Sequence, residues 1–381
     1  MGESYRQIED PLIGPSNGQT PSTGETRWVI RRGDAADFPA IARLHEATYG
    51  VPRALNSFRW LYEANPAGRC QLWLAEDRGS GQLVGTRPVF PWRLWIQGRE
   101  VRAAQLGDAM THPQFRGRGI FTALVRVAWS TLLEQGVPLT YSFSNPESLS
   151  VYKKTTVGVG RCVGTREVLW FRRMVRPLSL KVLLGRVPGA GGIVGAVDRV
   201  PRAYLQRRLA LPGKFSVFPV HHFGGEFDEL WARARDAYGV LTVRDSEYLN
   251  CRFINAPRGS FRVLSVRHCG ELAGYIAFEV DSLGCGWITD LFGLAQSEVM
   301  AALLKAALAR MLEDGAVKVS VRVATANASY PLMRELGFIA RDDLYPMAVH
   351  VYRDGRESEA ALDATRWWAW FGDRDVEGNA R

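Results

Sequence analysis

The sequence predicts a mixed α/β (α+β) fold made of two halves, each with a mostly antiparallel central sheet flanked by helices. The 381 residues give enough length for two domains. A strand-like run ends at Thr111, a glycine-containing turn follows, and an amphipathic helix begins after it. Short runs of alternating apolar and polar residues lie on both sides of this unit. The same order of elements returns between residues 217 and 352, which predicts the second half.

The first half is predicted to begin with a helix. Asp34 and Asp37 have the spacing of a capping box, and Phe38, Ile41 and Leu44 follow at helical spacing. The later elements are, in order, strands over 71–76, 82–90 and 99–111 with turns at 78–81 and 91–98, a helix with Phe121, Leu124, Val125, Ala128 and Leu132 on one face, a strand over 139–143 and a short helix over 148–154. This alternation predicts a sheet covered by helices.

The turn that precedes the long helix has the features of an anion-binding site. Gly117 and Gly119 allow the backbone to turn sharply and to approach a ligand closely. The amides that follow open a helix, where unpaired N–H groups and the positive end of the helix dipole favour an anion. Arg116 and Arg118 add positive charge. Residues 116–120, called the cradle below, are therefore predicted to bind a pyrophosphate.

Two commoner phosphate-binding loops do not fit this turn. A Walker loop ends in Gly-Lys-Ser/Thr, which is absent here. A Rossmann loop needs a third glycine inside a repeating βαβ unit, and none follows Gly119 at that spacing. The pattern that is present, Gln114-x-x-Gly117-x-Gly119, resembles the Gln/Arg-x-x-Gly-x-Gly/Ala signature of the GNAT acetyltransferases, which bind acetyl-coenzyme A (acetyl-CoA).

The segments around the cradle strengthen this resemblance, which covers about residues 27–172. GNAT domains begin with a helix like the one predicted after Asp34, and they carry an Asn and then a Tyr beyond the central strand, as Asn145 and Tyr152 do. The usual Gly-Phe after that Tyr is replaced by Thr-Thr-Val-Gly at 155–158, which leaves the register of Tyr152 open. The resemblance implies acetyl-CoA as cosubstrate, no metal, and acyl-CoA contacts by Met110, Thr111, Gln114, Arg116, Gly117, Arg118, Gly119, Ile120 and Asn145, the last of which could instead cap the following helix.

Two side chains are the candidates for acid–base catalysis. By resemblance, a backbone amide at Met110 or Thr111 polarises the thioester carbonyl. Tyr152 is the candidate general acid, because a phenol with a pKa of about 10 is protonated at neutral pH; Tyr141 is the second choice. The alternative for Tyr152 is an amphipathic side chain packed under the strand. Asp108 is the candidate base, near the split in the central strand where GNAT enzymes often carry an acid, and its alternative is a hydrogen bond to the neighbouring strand.

The second half resembles the first but lacks its cradle. Asn327, followed by Gly337-Phe338, resembles the ending of GNAT domains. Where the cradle should be, residues 290–298 contain neither Gly-x-Gly nor arginine, and Glu298 places negative charge where an anion would bind. We therefore expect a degenerate GNAT-like half that does not bind CoA and that shapes the acceptor cleft. The alternative is an unrelated α/β domain.

The predicted organisation has five parts. They are a polar, disordered tail over 1–26, the acyl-CoA-binding GNAT domain over 27–172, a basic linker with glycine and proline over 173–216, the degenerate GNAT-like domain over 217–352, and an aromatic C-terminal segment over 353–381. The last segment carries Trp367, Trp368 and Trp370, so we expect it to pack onto the body of the protein; the alternative is that it lines the acceptor site.

The composition limits the class of function. The net charge of +9 could suit nucleic acid, but CoA is itself a polyanion, and the basic stretch between Arg172 and Lys214 has too few aromatic residues for a base-stacking platform. No nucleic-acid partner is therefore expected. No run of eighteen apolar residues and no signal-peptide pattern is present, so we expect no membrane span and a cytoplasmic location. The five scattered cysteines show no metal-binding spacing.

These observations favour an acyl-CoA-dependent N-acyltransferase. Its acceptor would be a small amine, such as an amino sugar or a secondary metabolite, which attacks the thioester directly. One alternative is a Fem-type transferase that takes its acyl group from aminoacyl-tRNA and uses the basic linker, although such an enzyme does not need a CoA cradle. Another is a non-catalytic protein that senses acyl-CoA; it would keep the cradle and tolerate the loss of Tyr152 and Asp108.

Overall fold

The computed structural model of the chain describes residues 27–156, 164–179, 199–257, 259 and 261–374. The predicted tail over 1–26, residues 157 and 158 of the Thr-Thr-Val-Gly stretch, Cys162 and residues 180–198 of the predicted linker lie outside the described residues. In the described part of the chain, no helix is both long enough and apolar enough to cross a membrane.

The elements before residue 180 alternate much as the sequence predicts. The strands are β1 (Trp28–Gly33), β2 (Gln71–Asp77), β3 (Leu83–Ile96), β4 (Arg99–Leu106), β5 (Met110–Thr111), β6 (Leu139–Phe143) and β7 (Gly164–Pro177). The helices are α1 (Phe38–Tyr49), α2 (Leu55–Glu63), α3 (Ile120–Glu134) and α4 (Pro146–Thr156). Asp34 and Asp37 form the predicted capping box, in a 3₁₀ turn that leads into α1.

The elements after residue 198 repeat this alternation. The strands are β8 (Phe215–Pro219), β9 (Val240–Thr242), β10 (Arg262–His268), β11 (Glu271–Val280), β12 (Cys285–Gly293), β13 (Lys318–Ala324) and β14 (Ile339–Val351). The helices are α5 (Arg199–Leu209), α6 (Gly225–Ala234), α7 (Ser246–Leu249), which continues as a π-helix over Asn250–Ile254, α8 (Ser297–Glu313), α9 (Ser329–Glu335) and α10 (Arg356–Ala361).

One continuous sheet runs through the described part of both halves. Its order is β1-β2-β3-β4-β6-β14-β7-β13-β12-β11-β10-β8, and β5 and β9 each pair with β3. All neighbouring strands are antiparallel except β4 with β6 and β12 with β13. The predicted mixed fold, with a mostly antiparallel sheet and flanking helices, is therefore confirmed, and the strands of the two halves join into a single sheet.

The final strand of each half lies in the other half. β7 pairs with β13, β14 pairs with β6, and β7 and β14 pair with each other at the centre. The two orders β1-β2-β3-β4-β6-β14 and β8-β10-β11-β12-β13-β7 are thus identical in strand direction, including one parallel pair each. This exchange of strands joins the halves through backbone hydrogen bonds as well as through the chain.

A glycine in the third strand of each order allows a long helix to approach the sheet. A Cβ on Gly85 of β3 would lie 2.8 Å from Cγ2 of Ile120 in α3, and a Cβ on Gly274 of β11 would lie 2.7 Å from Cδ1 of Leu303 in α8. Only a residue without a side chain permits this contact at either position. The two halves therefore share the same helix-on-sheet packing.

Residues 367–373 of the C-terminal segment are buried, as the tryptophans led us to expect, and residues 375–381 lie outside the described residues. Trp367, Trp368, Trp370 and Phe371 are each at most 6% exposed. β12 pairs with β13 only through Cys285–Ile288, and the C-terminal segment occupies the space between the two strands after these residues. There Trp370 bridges to Val323 of β13, and Gly372 packs against Thr289 of β12 so closely that a Cβ would lie 2.8 Å from the Thr289 carbonyl oxygen.

Several predicted boundaries are wrong, and long-range contacts explain them. The turn predicted at 91–98 covers only residues 97–98, because β3 continues to Ile96, and the last residues of β3 pair with β9. The strand predicted over 99–111 is interrupted at residues 107–109. Helix α2 was not predicted. The segment predicted as a linker, 173–216, contains the end of β7, the whole of α5 and the start of β8, and its role as a linker stays a prediction.

Candidate functional site

Two neighbouring parallel strands separate near the middle of the first half. β4 pairs with β6 only through Ala104 with Thr140 and Gln105 with Tyr141. After Leu106 the chain leaves β4, and it resumes as β5, which pairs with β3 instead. Since parallel strands end at the same edge of a sheet, this leaves a gap between β4–β5 and β6 at their C-terminal ends. We call this opening the strand gap.

The cradle lies beside the strand gap, at the start of α3. Gly117 and Gly119 have φ angles of 76° and 78°, in the left-handed region that glycine tolerates best. No atom lies within 4 Å of the position that a Cβ would take on either glycine, so the backbone faces open space. Gly119 is the N-cap of α3 and no side chain caps that helix, which leaves its first N–H groups for an external acceptor.

The predicted contact residues of the cradle are exposed around these amides. The Arg118 guanidinium donates to the carbonyl of Gln114 (3.1 Å) and lies 4.8 Å from the ring centroid of Phe115. Arg116 donates to the carbonyl of Thr111 (3.4 Å). Both arginines and Gln114 are exposed, and the first turn of α3 holds no acidic residue. Positive charge and unpaired amides therefore meet at one point of the surface, which fits a pyrophosphate.

The inner residues of the predicted site line the route from the cradle to the strand gap. Met110 and Thr111 form β5, which pairs with Thr86 and Gly85 of β3. Met110 is buried and Thr111 is half-buried, while Ile120 is buried as the first residue of α3. The backbone assigned to the pantetheine arm is thus continuous with the backbone assigned to the pyrophosphate.

Asn145 lies at the other side of the strand gap, after β6. Its Oδ1 accepts from the backbone N–H of Ser148 (2.8 Å), so it caps α4. The side chain is exposed. The capping interaction is thus present, and a contact with CoA stays a prediction.

Asp108 lies in the interruption of β4 and is held by two donors. Its Oδ2 accepts from Nη1 of Arg53 and from the hydroxyl of Tyr62, both at 2.8 Å. The Asp108 side chain is 7% exposed, and its φ of 47° is unusual for a residue other than glycine. Burial first, and then the Asp108 charge, raise the pKa of Tyr62 well above its usual value, so this phenol stays a donor. The partners lie outside the neighbouring strand, and the role of Asp108 as base stays a prediction.

Tyr152 is buried on the α3 side of the sheet. It is 2% exposed, and its ring lies 5.8 Å from Phe121, 5.9 Å from Trp129 and 5.0 Å from His350, measured between centroids. Tyr152 is therefore packed in the interior, as the alternative interpretation predicted. Its role as general acid stays a prediction, and packing does not conflict with it because α4 adjoins the strand gap.

A small cavity on the opposite side of the sheet contains residues that the sequence did not single out. It is lined by Trp60, Asn65, Trp92, Tyr248, Arg252 and Arg374. Trp92 contacts Tyr141, which belongs to the last pair of β4 with β6, at 6.2 Å between centroids. The cavity therefore adjoins the strand gap.

Tyr248 and Arg252 flank the junction of α7 with its π-helical continuation, a feature that is frequent at functional sites. The residues that line the cavity come from both halves, which is why the local sequence carried little signal for the cavity.

The equivalent position in the second half is closed. β12 stays paired with β11 up to Gly293, where a Cβ would lie 2.4 Å from the carbonyl oxygen of Ala273. Glu298 in the first turn of α8 forms an ion pair with Lys214. The space between β12 and β13 is taken by residues 370–372 of the same chain.

Comparison with known proteins agrees with this geometry. Residues 29–159 match the family model described as an acetyltransferase (GNAT) domain. Among proteins with curated descriptions, none matches this chain.

Solved structures share the fold over most of the chain at low identity. A probable N-acyltransferase from Enterococcus faecalis V583 is 14% identical with a TM-score of 0.59, covering 85% of this chain and 73% of its own. A GCN5-related N-acetyltransferase from Anabaena variabilis ATCC 29413 is 13% identical with a TM-score of 0.61, covering 86% and 73%. N-myristoyltransferase from Saccharomyces cerevisiae, solved with bound myristoyl-CoA, is 13% identical with a TM-score of 0.58, covering 92% and 86%. At these identities the likeness concerns the fold alone.

The family match is confined to the half that carries the cradle and the strand gap, whereas the shared fold extends over both halves. Residues 29–159 therefore match a GNAT acetyltransferase domain, and the chain as a whole shares the fold of the solved structures named above.

Proposed function

We propose that this chain is an acyl-CoA-dependent N-acyltransferase that transfers an acetyl group from acetyl-CoA to a small amine, such as an amino sugar or a secondary metabolite. The observation that carries the proposal is the junction of the cradle with the strand gap. Open, positive-φ glycines at 117 and 119 mark the start of α3, and the interrupted strand at 107–111 leads from them into the sheet. This arrangement offers one site for the pyrophosphate and a continuous edge of backbone for the pantetheine arm.

The chemistry needs a held thioester, a neutral amine and a proton for the leaving group. A backbone amide at Met110 or Thr111 would polarise the carbonyl. The amine nitrogen attacks the carbonyl carbon of the thioester and forms the C–N bond. The C–S bond then breaks, and the electron pair of that bond stays on the CoA sulfur. Asp108 would take the proton that the amine nitrogen loses, directly or through water, and Tyr152 would give a proton to the sulfur. The products are the amide and CoA thiol.

The acceptor would enter from the side of the sheet that holds Asp108. The cavity there is lined by the rings of Trp60, Trp92 and Tyr248, which suit the apolar face of a sugar or an aromatic amine. Two arginines, Arg252 and Arg374, also line this cavity. The acceptor side of the site would thus combine residues of both halves with the C-terminal segment, while the first half alone contributes the cradle.

We also propose that the chain is a tandem of two GNAT-like halves, of which only the first binds CoA. The matching strand orders and the glycines at 85 and 274 support a common origin of the halves. The closed position around Gly293, the ion-paired Glu298 and the filled space between β12 and β13 support the loss of CoA binding from the second. The domain limits 27–172 and 217–352 fit this proposal when the exchanged strands β7 and β14 are assigned to their own halves.

Two other functions remain as outcomes of the test. A Fem-type aminoacyl-tRNA-dependent transferase would not need the cradle, and a non-catalytic acyl-CoA sensor would bind acyl-CoA without transfer. The purified full-length chain is therefore mixed with acetyl-CoA and a panel of amino sugars and small amines, and the release of CoA thiol is followed together with acetyl-CoA binding.

The double variant Gly117→Glu/Gly119→Glu tests the cradle in the same assay. Its matched control is Gly98→Glu/Gly270→Glu, because these exposed turn glycines also have positive φ (87° and 91°) and open Cβ positions. Both pairs therefore add equal charge and similar backbone strain. We expect the cradle variant to lose binding and transfer and the control to keep both. Equal acetyl-CoA binding by the cradle variant and the wild type would overturn the assignment, and binding without transfer to any amine would favour the sensor.

A further inference from the structure

Arg87 in β3 is fully buried and lacks a polar partner. It is 0% exposed, and Nε, Nη1 and Nη2 make no hydrogen bond to any residue in the described part of the chain. Arg244, equally buried, shows what such a group normally has, since it bonds the carboxylates of Asp290 and Asp373 and the carbonyl of Thr242. A buried cation without an anion is costly, so a fold that keeps one has a use for it.

The backbone position of Arg87 places it at the strand gap. The pairing of β3 with β4 stops at Val89 with Leu106, and the pairing of β3 with β5 starts at Thr86 with Met110. Arg87 therefore lies opposite the interruption at 107–109. Alternate residues of a strand share a face, so Arg87 points to the same side as Gly85, which packs against α3.

The side chains in contact with Arg87 are aromatic rings, and no carboxylate in the described part of the chain forms an ion pair with it. Its Cζ lies 5.2 Å from the ring centroid of Tyr152 and 5.9 Å from that of Phe121, so cation–π attraction compensates the charge only in part. The neighbouring His350 stays neutral, because burial and then the Arg87 charge lower its pKa to about 3. The pocket between α3, α4 and β3 thus holds one positive charge, and the described residues around it provide no counter-ion.

We propose that Arg87 binds the negative charge that forms at the reactive end of acyl-CoA, which on transfer is the thiolate of the leaving CoA. This inference rests on the proposed function. A charge fixed in place before the reaction stabilises an anion that exists only during and after bond cleavage, and burial strengthens that effect. The electron pair of the broken C–S bond would thus remain on a sulfur beside the guanidinium until Tyr152 supplies the proton. A carboxylate on the acyl chain would be a second source of negative charge for the same group.

The first test uses the wild-type protein with CoA and no acceptor. The ultraviolet absorbance of the thiolate is titrated with pH for bound CoA, with the desulfo-CoA complex as the blank. We expect the pKa of the bound thiol to lie about one to three pH units below that of free CoA, as an opposite charge at 4–6 Å produces. An unshifted thiol in a protein that binds CoA overturns the role of Arg87 and leaves the proposed function intact. Absence of CoA binding instead overturns the proposed function.

The second test compares Arg87→Met and Arg87→Lys with Arg126→Met, a change of an exposed arginine on α3. Arg87→Met should return the thiol pKa to its free value and lower kcat for acetyl transfer about 10²-fold or more, with little change in KM for acetyl-CoA. Arg87→Lys should keep part of the shift, and Arg126→Met should keep all of it.

Stability separates this role from a structural one. Because Arg87 has no hydrogen-bond or ion-pair partner among the described residues, Arg87→Met should raise the melting temperature of the ligand-free protein and reduce the further rise on adding CoA. A lower melting temperature, or loss of folding, would show that the guanidinium serves the fold and would contradict the proposal. Tighter binding of succinyl-CoA than of acetyl-CoA by the wild type, abolished in Arg87→Met, would identify the acyl carboxylate as the second source of charge.

Discussion

Asp373 near the C-terminal end of the described chain and Arg244 in the second half form a buried ion pair, with Oδ2 and Nη2 3.0 Å apart and side chains 5% and 0% exposed. The same guanidinium is paired with Asp290 of β12, which also accepts a hydrogen bond from the hydroxyl of Tyr275. This network holds residues 370–373 in the space between β12 and β13. The chain thereby fills the space between β12 and β13 with its own segment, whereas near the strand gap of the first half Arg87 has no hydrogen-bond partner among the described residues.

Replacing Arg244 by methionine should destabilise the protein strongly. The change leaves two buried carboxylates, Asp290 and Asp373, without a cation, and breaking a buried pair costs about 3–5 kcal/mol. The free energy of unfolding in urea measures this loss, and limited proteolysis should show earlier cleavage of the C-terminal segment. Arg233→Met is the matched control, since the pair of Arg233 with Glu271 is largely exposed and is worth about 1 kcal/mol or less. Equal losses in the two variants would contradict the anchoring role.

Gly85→Val should displace the start of α3 and with it the cradle. A Cβ at this position would lie 2.8 Å from Cγ2 of Ile120, so the start of α3 must move, at a cost of about 1–3 kcal/mol. We expect lower stability and weaker acetyl-CoA binding by calorimetry, although residue 85 itself is not proposed to contact CoA. Gly213→Val is the control, because no atom lies within 4 Å of its Cβ position. Unchanged binding in Gly85→Val would show that the cradle does not depend on this packing.

His350 should make the protein less stable in acid. Burial and the Arg87 charge lower its pKa to about 3, whereas an unfolded histidine titrates near pH 6.5. Between these values the unfolded state binds a proton that the folded state does not. Stability should therefore fall as the pH decreases from 6.5 towards 3, by up to about 1.4 kcal/mol per pH unit.

The comparison of His350→Gln with the wild type isolates this term. The variant should show a flatter dependence of the unfolding free energy on pH in this window, and the exposed His221→Gln should follow the wild type. Parallel curves for His350→Gln and the wild type would mean that the imidazole is not kept neutral.

Tyr152→Phe tests the general acid with little change in packing. Its ring contacts with Phe121, Trp129 and His350 would remain, and only the hydroxyl is lost. Transfer should slow by about 10²-fold or more in kcat, with the KM for acetyl-CoA little changed. Tyr141→Phe, the second candidate, should have the smaller effect. A Tyr152→Phe enzyme with wild-type kcat would leave the residue with its packing role alone.

The sequence was informative where structure depends on local chemistry. Three features depend on residues within a few positions of one another, and each was predicted. They are the glycines of the cradle, the capping box at Asp34 and the start of a helix at Ile120. The buried C-terminal segment could be expected because three tryptophans within four positions need a partner. The absence of Gly-x-Gly between 290 and 298 likewise pointed to a second half without a cradle.

The sequence was uninformative where partners are distant. The extension of β3 to Ile96 depends on β9, nearly 150 positions away, and the placing of β7 and β14 depends on strands of the opposite half. Arg87 appears in the sequence as an ordinary strand arginine, and only the fold shows that it is buried without a partner. The cavity lined by Trp60, Trp92 and Tyr248 combines α2, β3, α7 and the C-terminal segment, so no local sequence pattern indicates it.

The measurement that tests the central claim most directly is calorimetric titration of the full-length chain with acetyl-CoA, beside dephospho-CoA and the Gly117→Glu/Gly119→Glu variant. One competent cradle and one closed counterpart predict a stoichiometry of one acetyl-CoA per chain, abolished in the variant. Two sites per chain would contradict the closure of the second half. Absence of binding to the wild type would contradict the acyltransferase proposal itself and bring the aminoacyl-tRNA-dependent alternative forward.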